Sequence, residues 1–539
     1  MQKINYSDLR AHLSKLDECG LLIKVDTPIN KDTELHPLVR LQFIGGLNES
    51  ERKAFLFTNI VDSSGRHYDI PVVVGALASN PRIYAIGMGT TEDNIGKTWL
   101  NAIANPIDPV IVDNPPCQDL VFMGDELNTE GKGLDRFPVP ISTPGYDAAP
   151  YLSATLVITK DPETGIQNMG TYRCQLKAND RLGVRMATRK SGAGGYLHFK
   201  KYKDLGKNMP CAIVVGAPPA VAYAGPQKLA IDQDELSVAG ALAGEPIRVA
   251  KAQSQDLNIP ADSEIVIEGY IDTNMLEPEG PFGESHGHVA VEDFNMSFYV
   301  TAITQKKSPI FPSIISQVTP SESSVIKKVA YEPLYFSYLK HDLSIDSVIS
   351  VTMHEPLTNI RPVIFIRFDD TASKEDIWKA LRAASLLQAQ CGKVVIAVSE
   401  DIDASNTDAI FWSLAYRSNP VDDLEVTKNR SHGHGPKSNK KSNSSGILID
   451  ATKKTALPPL ALPKKEYMER AKAIWEELGM PKIELKSPWH GYSLGEWDKK
   501  WDTFADNAVN GQWIKNGIDT FSRRRKNLVP ETPVKDIEN

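Results

Sequence analysis

The sequence lacks several features that would indicate whole classes of protein. None of its apolar segments approaches the roughly 20 uninterrupted residues of a membrane-spanning helix. Pro218 and Pro219 break the longest of them, residues 212–225. The N-terminal residues contain no apolar signal-peptide core. Positive charge is not in excess either, because 68 acidic residues outnumber 60 basic ones and give a net charge of −8. These absences disfavour a membrane protein and a general nucleic-acid-binding protein.

Cysteine is scarce as well. The five cysteines are odd in number and far apart, a spacing that matches neither a zinc site nor a disulfide framework. We therefore expect a reducing, cytoplasmic setting. The sequence also contains no P-loop, HExxH, GxSxG or CxxC motif, so no common catalytic motif identifies its chemistry.

The 539 residues, 41% of them apolar, suffice for about three domains. Helical and strand patterns alternate at first, and then short β-rich runs separated by glycine, proline and asparagine predict a barrel or sandwich. A helical stretch follows, and a strand–helix–strand order next predicts an α/β domain. The boundaries we expect are 1–117, 118–320, 321–345 (a linker helix), 346–462 and 463–539 (a helical tail).

Aromatic residues concentrate in the tail. Five of the eight tryptophans lie between Trp475 and Trp513. Apolar aromatic side chains in a terminal segment need a surface to pack on. That surface is either the body of the same chain or a neighbouring subunit.

The segment LEPEGPFGESHGH, residues 276–288, is the most informative. Its two prolines and three glycines predict a constrained turn. Glu277, Glu279 and Glu284 lie within it, and carboxyl groups held close together shift the pKa of one of them upward. A general acid is the functional interpretation, and a solvated loop is the alternative.

Two further segments carry candidate residues. In NMGTYRCQ, residues 168–175, Arg173 follows a strand-like run and is either a buried cation with an anionic partner or a surface arginine. Asp232, Asp234 and Glu235 precede a helical segment. They either stabilise the helix N-terminus through the helix dipole or supply oxygen ligands to a divalent metal near a phosphate.

Taken together, these segments resemble the UbiD family of decarboxylases, which use prenylated flavin mononucleotide (prenylated FMN). The family pattern of Asn, Tyr-Arg and then Glu-Gly-Pro-Phe-Gly-Glu is present as Asn168, Tyr172, Arg173 and EGPFGE at 279–284. AGALAGEP at 239–246 resembles the family segment that follows its acidic metal ligand. The resemblance extends over nearly the whole chain.

The resemblance implies a multidomain α/β architecture. It has a small N-terminal α/β portion, a split β-barrel that binds the flavin, and a C-terminal α/β oligomerisation domain. It also implies a Glu–Arg–Glu network of Glu279, Arg173 and Glu284, with Glu284 as the proton donor. The cofactor-binding positions that it implies are Asn168, Thr171, Tyr172, Arg173, Thr188, Arg189 and Glu235.

The implied cofactors are prenylated FMN, a divalent metal (Mn, Fe or Mg) and K⁺, with Asn168 and Glu235 as metal ligands. One position departs from the family pattern, because Arg189 occupies the place of a metal-binding histidine. Arginine pairs with phosphate but does not ligate a metal. Either His198 substitutes for that ligand, or the site handles phosphate with less help from a metal.

The implied reaction is the reversible, non-oxidative decarboxylation of an aromatic acid. The length of the chain and its basic clusters, in the loop 428–441 and at 523–525, resemble the phthaloyl-CoA decarboxylase branch, so an aromatic acyl-CoA is one expected substrate and a free hydroxybenzoate-like acid the other. Expected partners are a flavin prenyltransferase and further copies of the chain, as a dimer or hexamer. A non-catalytic carboxylase subunit is one alternative; a flavin oxidoreductase is disfavoured because no GxGxxG opens a helix.

Overall fold

The structure, a computed structural model, describes residues 8–187, 192–227, 229, 233–358, 362–388, 391–430, 444–485 and 493–537. Thr188, Arg189 and Asp232 lie outside the described residues, as does most of the basic loop. The chain forms two compact units, which are Met1–Glu400 with Ser418–Ala451, and Asp401–Arg417 with Thr452–Asn539. Among the described residues, the structure has no helix with the length and hydropathy that a bilayer crossing requires.

The first part of the larger unit mixes short strands with helices. Its elements are α1 (Leu9–Glu18), β1 (Leu22–Val25), β2 (Ile29–Asn30), α2 (Leu35–Ile44), β3 (Ala54–Phe57), β4 (Ile60–Val61), β5 (His67–Tyr68), β6 (Val72–Val74), α3 (Pro81–Gly87), α4 (Ile95–Ala104) and β7 (Val110–Ile111).

The middle part is rich in strands. Its elements are β8 (Leu120–Met123), β9 (Tyr151–Leu152), β10 (Thr155–Lys160), β11 (Gln167–Gly170), β12 (Cys174–Ala178), β13 (Arg181–Val184), α5 (Gly194–Asp204), β14 (Met209–Val215), α6 (Pro219–Ala224), α7 (Glu235–Ala243), β15 (Arg248–Lys251), β16 (Asn258–Pro260), β17 (Ile265–Glu279), β18 (Phe282–Gly283), β19 (Val289–Ala290), β20 (Asp293–Gln305) and β21 (Phe311–Ser313).

A nine-stranded antiparallel sheet dominates this middle part. Its strands are ordered β11-β10-β14-β17-β20-β13-β12-β9, and β8 also pairs with β20. Successive side chains of a strand point to opposite faces. In β14, Ile213 and Val215 enter one apolar core, whereas Ala212 and Val214 enter another. Both faces of the sheet are therefore buried here, which explains the nearly continuous apolar sequence of this strand.

Two strand pairs cross the boundary expected at residue 117. β7 pairs in parallel with β15, and β21 pairs in parallel with β6. The N-terminal and middle parts thus share small sheets as well as packed side chains.

The last part of the larger unit begins with α8 (Glu322–Ser337), which continues into a π-helical turn, Tyr338–Asp342. It then forms a five-stranded sheet in the order β22-β23-β24-β26-β25. The elements are β22 (Val348–Met353), β23 (Val363–Phe368), α9 (Lys374–Leu387), β24 (Val394–Ser399), β25 (Leu424–Arg430) and β26 (Ser444–Ala451). The predicted strand–helix–strand unit is confirmed as β23, α9 and β24, because β23 and β24 are parallel.

The smaller unit is helical. Its helices are α10 (Thr407–Arg417), α11 (Lys465–Glu477), α12 (Asp502–Val509) and α13 (Trp513–Ser522). The predicted tail helix starting at Lys465 is present as α11. On α13, the side chains of Trp513, Ile514, Ile518 and Phe521 are exposed.

Buried carboxylates connect the parts of the larger unit. Glu322 at the start of α8 accepts hydrogen bonds from the backbone N–H groups of Gly75 and Leu77, both at 3.0 Å. Glu264, which is fully buried, accepts from Arg10 Nη2 and from Lys306 Nζ, each at 2.9 Å. These contacts join α8 to the segment after β6, and α1 to the start of β17, one of the strands that carry the candidate site.

The Glu264 network provides a test of this packing. Glu264→Gln removes the negative charge between two cations, and breaking a buried ion pair in this way costs about 3 kcal/mol. We expect urea unfolding, monitored by tryptophan fluorescence, to give a free energy of unfolding about 3 kcal/mol below that of the wild type. Asp17→Asn, which removes an exposed partner of Lys24, is the matched control and should cost at most about 1 kcal/mol. Equal losses in the two variants would contradict the buried network.

Candidate active site

The β12–β13 hairpin places two arginines opposite each other. Cys174 is the partner of Val184 in this antiparallel pair, so the flanking residues Arg173 and Arg185 face each other at its open end. The backbone N–H of Arg185 donates to the carbonyl oxygen of Arg173 at 3.2 Å. Two positive charges on neighbouring strands repel each other unless acidic groups lie between them.

Those acidic groups come from the β17–β20 hairpin. Glu279 and Asp293 are partners at its end, and Glu277 and Asn295 are partners two residues further in. Because β13 also pairs with β20, the two hairpins belong to one sheet and their ends meet. Arginines and acids that are far apart in the sequence thereby converge.

Arg173 is the centre of the resulting ion-pair network. Its Nε and Nη2 donate to the two carboxylate oxygens of Glu279 at 2.7 and 2.9 Å, a bidentate contact that suits both planar groups. Its Nη1 lies 2.5 Å from Oε1 of Glu284. Asn295 Nδ2 donates to Glu279 Oε2 at 2.9 Å. The structure therefore brings together the three residues expected to be catalytic, Arg173, Glu279 and Glu284.

Glu284 comes from a separate turn. Its N–H donates to the carbonyl oxygen of His288 at 3.0 Å, which closes a tight loop after β18. Gly287 in this loop has a φ of +88°, a conformation that glycine adopts without steric cost. The predicted turn is confirmed here, whereas Glu277 and Glu279 belong to the end of strand β17. Glu277 pairs with Arg181 at 3.3 Å, away from the network.

Close packing holds the turn that precedes Glu284. Gly283 has no room for a side chain, because a Cβ there would lie 2.4 Å from Thr143 Oγ1. The N–H of Gly283 donates to Asp147 Oδ1 at 2.8 Å, and the N–H of Thr143 donates to Asp147 Oδ2 at 2.7 Å. The carboxylate of Asp147 thus ties the turn to residues 143–147 and limits the positions that Glu284 can take.

An aromatic pair lies against the guanidinium of Arg173. The Phe282 ring centroid is 4.6 Å from Arg173 Cζ, and the Tyr151 ring centroid is 4.1 Å from that of Phe282. Aromatic ring faces attract cations and exclude water from that side. This packing stabilises the position of the charged group within the sheet.

The pKa of Glu284 differs from the sequence-based expectation. Burial raises the pKa of Glu284, but the charges of Arg173 and Arg185 and the hydrogen bond from Arg173 lower it more, so it lies below its ordinary value. An upward shift, expected for one of the clustered carboxyl groups, is therefore not found at Glu284, because both guanidinium groups act on it. Glu284 is therefore ionised at neutral pH.

A cavity of about 620 Å³ adjoins the network. Thr171, Tyr172, Arg173 and Glu284 line it, so four of the expected site residues share one space. Its other lining residues include Arg185, Phe282, Asp293, Phe294, Ser316 and Lys327. The lining combines charged, hydroxyl and apolar side chains, and polar groups that converge on a concave space are typical of a small-molecule site.

The two expected metal ligands are neighbours. Asn168 lies in β11, and Glu235 Oε2 accepts a hydrogen bond from the N–H of the next residue, Met169, at 2.9 Å. Burial raises the pKa of Glu235 to about 7. Asn168 Nδ2 is buried and has no hydrogen-bond partner among the described residues. A buried carboxylate of this kind fits a cation, and the unpaired amide donor fits an anionic group beside it.

The two ring nitrogens of His198 face Thr159 and Asp161. Its Nδ1 lies 2.9 Å from Thr159 Oγ1, and its Nε2 lies 3.9 Å from Asp161 Oδ2. Across the described ranges, no three His, Cys, Asp or Glu side chains cluster as a metal site would need. The role of His198 as a substitute ligand stays a prediction.

Sequence reasoning missed three residues of the network: Arg185, Asp293 and Asn295. The signal for Arg185 is present, because residues 174–184 form two short strands around a polar turn, and the hairpin register then sets Arg185 opposite Arg173. The other two have no comparable signal. Their position depends on a long hairpin whose register shifts between Ile271 and Leu276.

The lowered pKa of Glu284 predicts how stability responds to pH. A carboxyl group whose pKa falls on folding stabilises the folded state above its unfolded pKa, and this contribution is lost as the pH falls through the folded pKa. We expect the unfolding free energies of wild type and Glu284→Gln, from urea titrations, to differ most above about pH 5 and to converge below it. A difference that grows on acidification would indicate a raised pKa instead.

Two family models match consecutive segments of the chain. Residues 110–318 match the family model of the 3-octaprenyl-4-hydroxybenzoate carboxy-lyase Rift-related domain (UbiD), and residues 325–451 match that of the corresponding C-terminal domain. The two matched segments follow each other in chain order and together cover more than half of the chain.

Solved structures resemble the chain over most of its length. An evolved dimeric form of the UbiD-class enzyme HmfF from Pelotomaculum thermopropionicum, in complex with prFMN, is 25% identical, with a TM-score of 0.73 over 85% of this chain and 97% of that one. Vanillic acid decarboxylase from Sedimentibacter hydroxybenzoicus, in closed form, is 24% identical with a TM-score of 0.71, over 87% of this chain and 99% of that one, and shows the same multidomain α/β fold. The chain belongs to the UbiD family of carboxy-lyases.

Proposed function

We propose that this protein catalyses the reversible, non-oxidative decarboxylation of an aromatic carboxylic acid and uses prenylated FMN. The observation that supports this most directly is the guanidinium of Arg173, held between Glu279 and Glu284 at the wall of the 620 Å³ cavity. A non-catalytic carboxylase subunit would have no use for this buried charge cluster beside a cavity.

The cavity residues suit the proposed cofactor. Prenylated FMN supplies a sink for the electron pair that CO2 leaves on an sp² carbon, which amino-acid side chains cannot provide. Thr171, Tyr172 and Arg173 would hold it from the cavity wall, and Asn168 and Glu235 would bind the metal at its phosphate. Thr188, Arg189 and a K⁺ ion complete the proposed site.

The protein supplies orientation and a proton. Arg173 keeps Glu279 in place and presents its Nη1 to Glu284. The two arginines hold the pKa of Glu284 low. A substrate carboxylate that binds to the same arginines weakens this effect, so the proton affinity of Glu284 rises again. Glu284 then takes up a proton from water and delivers it to the carbon that CO2 leaves.

The more specific form of the proposal has an aromatic acyl-CoA as substrate, with phthaloyl-CoA giving benzoyl-CoA and CO2. Its support is the basic composition of the loop around Lys428 and of residues 523–525. Arg430 contributes less to this support, because its guanidinium already donates hydrogen bonds within the chain, to the carbonyl oxygens of Ser385 and Cys391 at 2.6 and 2.5 Å. A free acid such as a hydroxybenzoate is the other candidate. Assays of CO2 release from free acids and from their CoA esters separate the two.

We also propose that the protein forms a dimer or hexamer, and that a flavin prenyltransferase supplies its cofactor. The nine-stranded sheet corresponds in this proposal to the split β-barrel, and residues 346–462 to the oligomerisation domain. The exposed apolar residues of α13, Trp513, Ile514, Ile518 and Phe521, are suited to a subunit contact.

Glu284→Gln tests the proton donor. The amide retains the size of the side chain but carries no titratable proton, so we expect CO2 release to fall by at least about 100-fold. The absorption spectrum of the bound flavin should remain that of wild type, after co-expression with a flavin prenyltransferase. Full activity in this variant would exclude Glu284 as the donor.

Arg173→Ala tests the centre of the network. Its loss leaves Glu279 buried without its bidentate partner, so we expect weaker cofactor maturation or substrate placement and a loss of activity of about 100-fold or more. Mass spectrometry of the released flavin and the rate of CO2 release measure the two effects. Arg248→Ala, at an exposed pair with Asp262, is the control. An unchanged flavin and rate in Arg173→Ala would count against the network.

A further inference from the structure

Arg185 is a second guanidinium at the wall of the cavity. It follows strand β13 and is fixed by its backbone hydrogen bond to Arg173. Its side chain is 26% exposed, about twice the 12% of Arg173. Both guanidinium groups line the cavity, and Arg185 is the more accessible of the two to a bound molecule.

The contacts of the two arginines differ in quality. Arg173 makes three contacts of 2.5–2.9 Å to Glu279 and Glu284. Arg185 lies 3.4 Å from Glu279, 3.7 Å from Glu284 and 3.6 Å from Asp293. A guanidinium has five N–H donors in a planar fork that matches a carboxylate at distances of about 2.7–2.9 Å. The donors of Arg185 are thus loosely engaged by the acids around it.

The charge balance of the cluster indicates a role for Arg185 in binding an anionic substrate. Arg173 alone balances only one of the two carboxylates, Glu279 and Glu284, with which it is paired. A substrate carboxylate that enters beside them adds a further negative charge, which like-charge repulsion opposes. With Arg185 included, the two guanidinium groups and the carboxylates of Glu279 and Glu284 have no net charge before the substrate binds. Asp293, with 65% of its side chain exposed, is well screened by water and is a weak competitor for Arg185.

We propose that Arg185 binds the carboxylate of the aromatic substrate, exchanging its loose contact with Asp293 for a bidentate one. This inference rests on the proposed function and adds the residue that receives the anionic substrate. Because Arg185 lies 3.7 Å from Glu284, the bound carboxylate is placed beside the proton donor. Binding also draws positive charge away from Glu284 and so favours its protonation when the substrate is present.

The test measures equilibrium binding of unreactive probes to the flavin-loaded protein by calorimetry. Benzoate carries the carboxylate, and benzamide is its neutral counterpart of nearly the same shape. Wild type should bind benzoate more tightly than benzamide. Arg185→Gln should raise the Kd of benzoate about tenfold and leave that of benzamide within threefold, since only the charged contact is lost.

Arg181→Gln is the matched control. Arg181 lies in β13, four residues before Arg185, and pairs with Glu277 instead of lining the cavity. This variant should retain the wild-type Kd for both probes.

Asp293→Asn removes the competitor and should lower the Kd of benzoate. Arg185→Lys retains the charge, so its Kd for benzoate should lie between those of wild type and Arg185→Gln. This variant tests the inference if Arg185→Gln does not fold.

Three results would overturn the inference. They are a benzoate Kd that changes less than threefold in Arg185→Gln, an equal loss for benzamide, and a wild type that does not prefer benzoate. Steady-state kinetics should show a raised KM in Arg185→Gln, whereas the loss in Glu284→Gln is in kcat. If the wild type releases CO2 from no aromatic acid, the proposed function fails, and the benzoate titrations still decide whether Arg185 binds a carboxylate.

Discussion

The structure depends on a buried positive charge that acids from two separate elements share. The guanidinium of Arg173 makes a bidentate pair with Glu279 and a third contact with Glu284. An isolated charge at this depth would cost several kcal/mol, so the strand end that supplies Glu279 and the turn that supplies Glu284 must both be in place. This requirement couples the fold of the sheet to the geometry of the cavity.

The sheet meets this requirement through its register. One hairpin sets Arg173 opposite Arg185, and another sets Glu279 opposite Asp293. Each pair alone repels itself, and together the two pairs offset each other's charge. A slip of one residue in either hairpin would move its charged side chains to the other face of the sheet. The alternating cluster therefore favours one register, and the apolar core beneath it favours the same one.

The same cluster explains the chemistry that the site can perform. Two cations hold Glu284 ionised when no substrate is present. In the proposed reaction, a substrate carboxylate that takes over part of that positive charge favours the protonation of Glu284 when a proton is needed. Away from this cluster, Asn168 and Glu235 form a second polar region whose buried carboxylate lacks a counter-charge among the described residues. In the proposed function, the first region transfers the proton and the second binds the cofactor.

The sequence by itself determined the kind of chain and the types of its reactive residues. Its EGPFGE motif and the Arg173 segment identified the family. The turn could be predicted from the same motif, because its glycines and prolines restrict the local backbone whatever lies around it. The strand–helix–strand unit could also be predicted, since its apolar periodicity is local. Only the tertiary structure decided that Asp293 and Asn295 join the network and that the pKa of Glu284 falls. Both outcomes depend on long-range strand pairing and on the summed charges of groups more than 90 residues apart in the chain, such as Arg185 and Glu279.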